Sequence, residues 1–309
     1  MKIFLAGHKG LVGSAILRKL VSKKYKNIIT VDRKKLDLLD QRKVYQFVKR
    51  KKPDIVIIAA AKVGGVYHNN IHGADFIYEN LQIQNNLIFS SFKNKVKKVI
   101  FLGSSCIYPK NSKQPIKEKY LLTGTLEKTN EPYAIAKIAG VKTCEAFNKQ
   151  YKTNYLCLMP TNTYGPNDNY HNLNSHFFPA LIKKAHECKI KNKATLNVWG
   201  SGKPLRELIF VEDIADACIF FMNKNTKDHL INIGTGKDMR IKDYVNFIIK
   251  KLNLKIKIKY DTKKPDGVFR KVLDVGLARQ YGWRSKTSLN QGFNITYKDF
   301  VKNYKKKYK

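Results

Sequence analysis

A tyrosine and a lysine stand four residues apart in Glu131-Pro-Tyr133-Ala-Ile-Ala-Lys137. If this segment is helical, that interval places the phenol and the ammonium on one face, one turn apart. A nearby ammonium stabilises phenolate, and we therefore expect Lys137 to lower the pKa of Tyr133 toward neutrality. Tyr133 would then donate or accept a proton at a carbonyl. The same spacing also arises by chance on exposed helices, and the pair alone does not define an active site.

A second group of reactive side chains lies in Gly103-Ser-Ser-Cys-Ile-Tyr-Pro109, directly after a strongly apolar segment that predicts a strand. Hydroxyl groups at the carboxyl end of such a strand lie where parallel sheets bind their ligands. Ser104 could therefore hydrogen-bond a substrate oxygen. Cys106, two residues further on, would lie at the same edge, although most cysteines of this kind are small buried hydrophobes.

A glycine-rich turn, Gly7-His-Lys-Gly10-Leu-Val-Gly13, separates the first predicted strand from the first predicted helix. Such a turn lets a pyrophosphate approach the helix N-terminus, although GxxGxxG is one residue wider than the usual dinucleotide fingerprint. Asp32, expected at the end of the second strand, suits the two ribose hydroxyls of NAD. Arg33 suits the 2′-phosphate of NADP. These two neighbours leave the choice of cofactor open.

The elements that must position these residues follow an α/β pattern, in which short β-branched runs alternate with amphipathic segments through about residue 160. The pattern predicts a doubly wound parallel sheet, a Rossmann-type fold, with a smaller carboxyl-terminal lobe. We predict a dinucleotide-binding domain over 1–160, with return segments around 206–235, and a mainly substrate-binding lobe over 161–309. Predicted strands cover 2–6, 28–32, 54–59, 98–103 and 155–159. Long helices predicted over 74–92 and 133–151 favour a homodimer built on a four-helix interface.

Composition narrows the class of protein. The longest strongly apolar run, 55–61, is far shorter than the roughly 20 residues of a membrane-spanning helix. A strand follows the first residue at once, which leaves no room for a signal peptide and favours a cytoplasmic protein. Five scattered cysteines predict neither a disulfide framework nor a metal site. The net charge of +37 comes mostly from dispersed lysines. That dispersion favours an anionic small ligand over a nucleic-acid groove.

Taken in order, the glycine turn, the serine-rich strand end and the YxxxK pair resemble the extended short-chain dehydrogenase/reductase family, which acts mainly on nucleotide sugars. Longer strings resemble the members that epimerise carbons 3 and 5 of GDP-4-keto-6-deoxy-D-mannose and then reduce carbon 4 with NADPH, giving GDP-L-fucose. These strings are Ala6-Gly-His-Lys-Gly-Leu-Val-Gly-Ser-Ala15, Ala59-Ala-Ala-Lys-Val-Gly-Gly65, Phe101-Leu-Gly-Ser-Ser-Cys-Ile-Tyr-Pro109, Asn130-Glu-Pro-Tyr-Ala-Ile-Ala-Lys-Ile-Ala-Gly140 and Met159-Pro-Thr-Asn162. The resemblance extends over nearly the whole chain.

The resemblance implies a role for individual residues. Cys106 would be the base and His176 the acid of the epimerisation, while Tyr133, Ser104 and Lys137 would serve the reduction. The implied cofactor-binding residues are Gly7, Lys9, Gly10, Leu11, Val12, Gly13, Asp32, Arg33, Leu102, Gly103, Ser104, Tyr133, Lys137, Pro160, Thr161, Asn162, Thr163 and His176. The implied GDP-sugar contacts are Lys184, Trp199, Arg206 and Asp266. Two residues depart from the family pattern, since Lys184 replaces a frequent arginine and Asp32 replaces an expected neutral residue.

Other functions stay open on the sequence alone. A related enzyme acting on another GDP-sugar, such as a 6-deoxy-heptose, would keep both Cys106 and His176. A UDP-sugar 4-epimerase would need neither of them as an acid/base pair. A non-catalytic dinucleotide-fold protein that binds nucleic acid would need none of the reactive side chains. NADP(H) is the expected cofactor, with NAD(H) not excluded.

Overall fold

The computed structural model describes residues 1–171, 174–264 and 266–307. The strands are β1 Lys2–Ala6, β2 Asn27–Ile29, β3 Ile55–Ile58, β4 Lys98–Leu102, β5 Tyr155–Pro160, β6 Asn162–Tyr164, β7 Thr195–Trp199, β8 Leu205–Phe210, β9 Leu230–Ile233, β10 Asp238–Arg240, β11 Lys257–Asp261 and β12 Arg270–Lys271. The helices are α1 Leu11–Ser22, α2 Gln41–Lys51, α3 Val66–Ile71, α4 Gly73–Lys93, α5 Glu131–Tyr151, α6 Phe177–Ile190, α7 Val211–Met222, α8 Ile241–Leu252, α9 Gly276–Gln280 and α10 Leu289–Lys307.

The central sheet contains six parallel strands in the order β2-β1-β3-β4-β5-β9. Its inner strands are apolar at consecutive positions, as burial on both faces requires. Alternate residues of β1 enter different apolar layers. Phe4 packs in the layer on the side of α2 and α5, whereas Ile3 and Leu5 pack in the layer on the side of α1 and α7. The prediction of a doubly wound α/β fold is confirmed.

The second strand differs from its predicted extent, because β2 ends at Ile29 and does not reach Asp32. The loop that follows uses the backbone of Asp32 for another purpose. Its carbonyl accepts hydrogen bonds from the amides of Lys35 and Leu36 at 2.9 and 3.0 Å, which turns the chain away from the sheet. The acidic side chain therefore lies in a loop beyond the strand.

Close packing of α5 against β4 brings the tyrosine–lysine pair to the sheet edge. Helix α5 begins at Glu131, two residues before the predicted start, with a proline in its first turn. A Cβ on Gly140 would lie 2.5 Å from the ring of Phe101, and glycine therefore permits this approach. Gln84 of α4 also donates to the carbonyl of Ala136 at 2.6 Å, which ties the two long helices together.

The remaining strands form two smaller sheets. Strand β8 pairs with β6, β10 and β12, and β7 pairs with β11. Around them α6, α8 and α10 enclose a separate apolar layer that includes Tyr164, Phe178 and Phe293. Strand β9 joins the main sheet beside β5. The division into domains over 1–160 and 161–309 stays a prediction, with 206–235 as the predicted return segment.

Candidate active site

The strand order reverses between β1 and β3, which are neighbours in the sheet although β2 lies between them in sequence. Ligands of open α/β sheets bind outside the carboxyl ends of the strands at such a switch point. Gly7 follows β1 and Ser104 follows β4 at this edge. The glycine turn and the serine-rich segment therefore face the same cleft.

The glycine turn fits a dinucleotide pyrophosphate. Gly7 has φ of +89°, and a Cβ there would lie 2.5 Å from the amide nitrogen of Ala60. A Cβ on Gly13 would collide with the carbonyl oxygen of Gly7. Gly10 precedes α1 without a side-chain cap, while Leu11 and Val12 form its first turn. The first amides of α1 are thus available to an anion.

Asp32 is neutralised by its neighbours. Its carboxylate lies 2.7 Å from the ammonium of Lys9 and 3.3 Å from Nε2 of His8. The hydrogen bond from Lys9 is the main reason that the pKa of Asp32 lies below its usual value. Arg33 is 76% exposed, and its guanidinium is 4.0 Å from Glu79. The loop therefore carries a surplus of positive charge that suits an adenosine ribose bearing a 2′-phosphate.

Lys137 is buried beneath the tyrosine. Its ammonium donates to the carbonyl of Leu102 at 3.0 Å, the residue before Gly103, and lies 4.8 Å from the ring centroid of Phe101. Its distance to the ring centroid of Tyr133 is 5.9 Å, consistent with two side chains one helical turn apart. Burial lowers the pKa of Lys137 to about 8.

The expected lowering of the Tyr133 pKa is wrong for this structure. Burial raises that pKa well above its usual value, the electrostatic influence of the nearby Cys106 side chain adds to the effect, and the interaction with Ser104 opposes it. Desolvation prevails because the ammonium of Lys137 donates to a backbone carbonyl rather than to the phenol. The phenol consequently stays protonated near neutral pH, which is the form that can give a proton to a ketone oxygen.

Cys106 lies within a single turn of 3₁₀-helix, Ser105–Ile107, that follows β4. The hydroxyl of Ser104 accepts a hydrogen bond from the amide of Cys106 at 3.2 Å, which fixes the start of this turn. Two side chains reach the sulfur, since Nδ2 of Asn130 lies at 3.3 Å and the ammonium of Lys271 at 3.5 Å. The sequence assigned no role to either residue. Asn130 belongs to a string that carries the family resemblance, whereas Lys271 carried no signal.

His176 directly precedes α6, and its side chain reaches solvent on one side but is surrounded by protein on the others. The loop after β3 holds the segment that precedes it, because the amide of Gly65 donates to the carbonyl of Asn174 at 2.9 Å. A Cβ on Gly65 would lie 2.6 Å from the carbonyl oxygen of Ser175. Desolvation first, and the charge of Lys271 second, lower the pKa of His176. Lys271 therefore contacts one member of the predicted acid/base pair and acts electrostatically on the other.

The segment from Pro160 to Thr163 continues from β5 to β6 at the same edge of the sheet. Thr161 donates its amide to Ile233 at 3.0 Å, and Thr163 bonds back to Thr161 through its hydroxyl at 3.1 Å. Asn162 donates to the carbonyl of Glu207 at 3.0 Å. These bonds hold the segment rigidly where the predicted nicotinamide site lies.

The predicted substrate residues form one wall. Lys184 and Lys264 place their ammonium groups 5.1 and 5.4 Å from the ring centroid of Trp199, which is 46% exposed. The carboxylate of Asp266 accepts from the amide and hydroxyl of Ser201, both at 2.7 Å. Pro265, which precedes Asp266, lies outside the described residues.

Arg206 links this wall to the reactive residues. Its guanidinium donates to the carbonyl of Asp266 at 3.2 Å. Burial lowers its pKa, while the electrostatic influence of Asp266, Cys106 and Glu127 opposes that effect. Arg206 therefore lies within electrostatic reach of both the wall and Cys106. The structure thus gathers a nicotinamide-type site, a thiol and a cationic wall.

Neither a metal centre nor a membrane-spanning helix is found among the described residues. Within the described part of the chain, no group of three His, Cys, Asp or Glu side chains could hold a metal ion. Over the same residues, no helix combines the length and apolar character that a membrane crossing requires.

Comparison with known proteins identifies the family. The model of the NAD dependent epimerase/dehydratase family matches residues 3–234. The chain belongs to this family. Its members share the dinucleotide-binding architecture described above, and the prediction of an extended short-chain dehydrogenase/reductase fold is confirmed.

Several members of the epimerase/dehydratase family are similar over nearly their whole length. The GDP-L-fucose synthase of Sinorhizobium fredii is 49% identical over 98% of this chain and 96% of its own. The Escherichia coli GDP-L-fucose synthase is 48% identical over 98% of this chain and 97% of its own. A GDP-mannoheptose C4 reductase from Campylobacter jejuni, solved with NADP bound, is 36% identical with a TM-score of 0.89, over 97% of this chain and 98% of that one.

Proposed function

We propose that this protein converts GDP-4-keto-6-deoxy-D-mannose to GDP-L-fucose, by epimerisation at carbons 3 and 5 and then NADPH-dependent reduction at carbon 4. The observation that carries the proposal is the position of Cys106, directly beside the hydroxyl groups of Ser104 and Tyr133. A simple reductase needs no thiol there, whereas a double epimerisation needs a base. The similarity to two GDP-L-fucose synthases over almost the full chain supports the same reaction.

The epimerisation depends on the 4-keto group, which acidifies the protons on carbons 3 and 5. Cys106 takes a proton from the carbon, the electron pair moves into an enolate, and His176 returns a proton to the opposite face. Hydroxyl groups of Ser104 and Tyr133 lie beside each other and can both donate to the oxygen that becomes negative. The same two donors therefore serve both inversions.

The reduction uses the same oxygen. NADPH supplies a hydride for carbon 4 when it is bound. The phenol of Tyr133 gives its proton to the oxygen, which its raised pKa permits near neutral pH. The buried ammonium of Lys137 adds positive charge beneath the phenolate that remains, and Ser104 keeps the oxygen in place.

The cationic wall suits the GDP portion of the substrate. The guanidinium of Arg206 can meet a diphosphate through two parallel hydrogen bonds, and Lys184 can meet it as a point charge. Trp199 presents a half-exposed ring with two ammonium groups nearby, and a guanine base could stack on this ring. Lys184, where the family often has arginine, keeps the positive charge but cannot form the two parallel hydrogen bonds of a guanidinium group.

Cofactor choice provides a direct prediction. Arg33→Ala should raise the KM for NADPH by about tenfold or more and leave that for NADH nearly unchanged, because a charge-assisted bond to the 2′-phosphate is lost. Lys9→Ala should shift preference toward NADH, since Asp32 would lose its closest cation. Steady-state kinetics with both cofactors measures each effect, with Arg42→Ala on α2 as the control. Equal changes for both cofactors in Arg33→Ala would contradict the assignment.

We also propose a cytoplasmic homodimer that pairs α4 and α5 with their copies. Exposed apolar side chains on these helices support it, with Tyr78 62% and Ile135 42% exposed. All five cysteines are free thiols, as is usual in a reducing compartment. Ile135→Glu should convert the dimer to a monomer in light scattering, whereas Val21→Glu on α1 should not. A wild-type monomer at micromolar concentration would refute the dimer.

A single assay tests the reaction. The protein is incubated with GDP-4-keto-6-deoxy-D-mannose and either NADPH or NADH, the loss of cofactor absorbance is followed, and the sugar product is identified by NMR. We expect oxidation of NADPH and formation of GDP-L-fucose. If neither NADPH nor NADH is oxidised, the proposed function is wrong.

A GDP-linked 6-deoxy-heptose is the second candidate substrate, favoured by the structural similarity to the heptose reductase. The acid/base pair and the cationic wall would serve both sugars equally. A comparison of kcat/KM for the 4-keto-6-deoxy-hexose and the corresponding heptose decides between them. A larger value for the heptose would reassign the substrate.

A further inference from the structure

The thiol of Cys106 has an ammonium group as a direct neighbour. Lys271 places Nζ 3.5 Å from the sulfur, across 165 residues of sequence. The other described lysines and arginines near the site have different partners. Arg270, the preceding residue, forms an ion pair with Asp238 at 2.7 Å, and Lys110 forms one with Glu127 at 3.1 Å. Lys271 has no carboxylate within 4.0 Å among the residues that the structure describes.

The backbone of Lys271 is held on both sides. Strand β12 pairs with β8 so that Lys271 lies opposite Arg206. The next two amides are also fixed, because Val272 donates to the side chain of Gln114 at 2.9 Å and Leu273 donates to the buried carboxylate of Glu207 at 2.8 Å. The ammonium is therefore carried by a rigid strand rather than by a loose loop.

The same ammonium also faces the acid of the pair. Its positive charge contributes to the lowered pKa of His176, although desolvation contributes more. A cation near both groups favours the thiolate of Cys106 and the neutral imidazole of His176. The first effect supplies the unprotonated base that the epimerisation requires, whereas the second makes the proton of His176 easier to release once His176 has taken it up.

We propose that Lys271 is the positioning residue that prepares Cys106 as the base of the epimerisation. This inference rests on the proposed function. The ammonium holds the sulfur as thiolate in the resting site, the sulfur takes the proton from carbon 3 or 5, and the electron pair enters the enolate while His176 delivers a proton to the opposite face. A cavity of about 40 Å³ lies beside Cys106 and Lys271, and through it the sulfur releases its proton to solvent between the two inversions. His176, whose side chain reaches solvent, takes up a proton from solvent before the second inversion.

Other polar and charged groups face the sulfur and could also influence the pH dependence of its reactivity. Tyr133 approaches from α5, Arg206 from β8, and Asn130 donates to the sulfur from the segment before α5. Glu127, which lines the same cavity, is paired with Lys110. Because these groups remain in a Lys271 variant, a change in the behaviour of the sulfur can be assigned to the missing ammonium.

The test measures the sulfur directly and needs no substrate. The rate of alkylation of Cys106 by iodoacetamide is followed against pH by mass spectrometry, which is selective because the other four cysteines are buried. In Lys271→Met the pH of half-maximal rate should rise by about one unit or more, Lys271→Arg should restore most of the shift, and exposed Lys255→Met should match wild type. Lys271→Gln provides a second variant should Lys271→Met fail to fold. A profile within about 0.2 units of wild type in both neutral variants would overturn the proposal.

The second measurement concerns the reaction. Incorporation of deuterium from solvent at carbons 3 and 5 should fall by about tenfold at neutral pH in Lys271→Met and recover as the pH is raised. Unchanged incorporation would overturn the role of Lys271. If wild-type protein incorporates no deuterium, the proposed function fails, and the alkylation profile still decides whether Lys271 controls the sulfur.

Discussion

Tyr133→Phe should slow reduction at carbon 4 by about 10²–10⁴-fold while the epimerisation continues at a measurable rate. The substitution removes the phenolic proton beside Ser104 and leaves Cys106, His176 and Lys271 unchanged. The Ser104 hydroxyl still donates to the developing enolate oxygen, which limits the loss in the first stage. Cofactor oxidation measures the reduction, and deuterium incorporation at carbons 3 and 5 measures the epimerisation.

The control for this prediction lies on the same helix. Tyr151 ends α5, is half-exposed, and lies far along the helix from Tyr133. Tyr151→Phe should therefore leave both stages at wild-type rates. A Tyr133→Phe variant whose two stages fall by the same factor would show that the phenol acts in both, and the separate role in reduction would be wrong.

The fold was largely predictable because buried parallel strands have a strong sequence pattern. Strand β3 is buried at every position and consists of four β-branched residues, Ile55–Ile58. Strand β2 was harder, since its residues are exposed or only partly buried. The prediction that this strand ends at Asp32 was wrong. The carbonyl of Asp32 instead accepts hydrogen bonds from the amides of Lys35 and Leu36 in a loop, and backbone bonds of this kind cannot be recognised from a pattern of apolar residues.

The candidate site was predictable where motifs are local, and not where contacts cross the fold. Tyr133 and Lys137 share one helix, so that their spacing alone placed them on a common face. The contact between Lys271 and Cys106 depends on the pairing of β12 with β8, which no local pattern indicates. The pKa of Tyr133 was mispredicted for a similar reason. Its direction depends on burial and on the carbonyl of Leu102, which attracts the ammonium away from the phenol.

Cys106→Ser should abolish most of the epimerisation, with a loss of about 10²–10⁴-fold in deuterium incorporation at carbons 3 and 5. A serine hydroxyl is far less acidic than a thiol, and the ammonium of Lys271 cannot make it a comparable base. The reducing groups Ser104, Tyr133 and Lys137 are unaffected. The ketone should consequently be reduced without inversion, giving a GDP-6-deoxyhexose of the D-series rather than GDP-L-fucose.

NMR coupling constants of the product distinguish these outcomes, because they report the configuration at carbons 3, 4 and 5. Cys188→Ser is the matched control, since this thiol lies on α6 and donates to the carbonyl of Thr195 rather than to any reactive group. GDP-L-fucose formed at the wild-type rate by Cys106→Ser would remove the thiol from the mechanism and, with it, the role of Lys271. An uninverted product would show instead that the two stages use separate groups around the same substrate oxygen. Cys106 and Lys271 would serve the epimerisation, and Tyr133 and Lys137 the reduction.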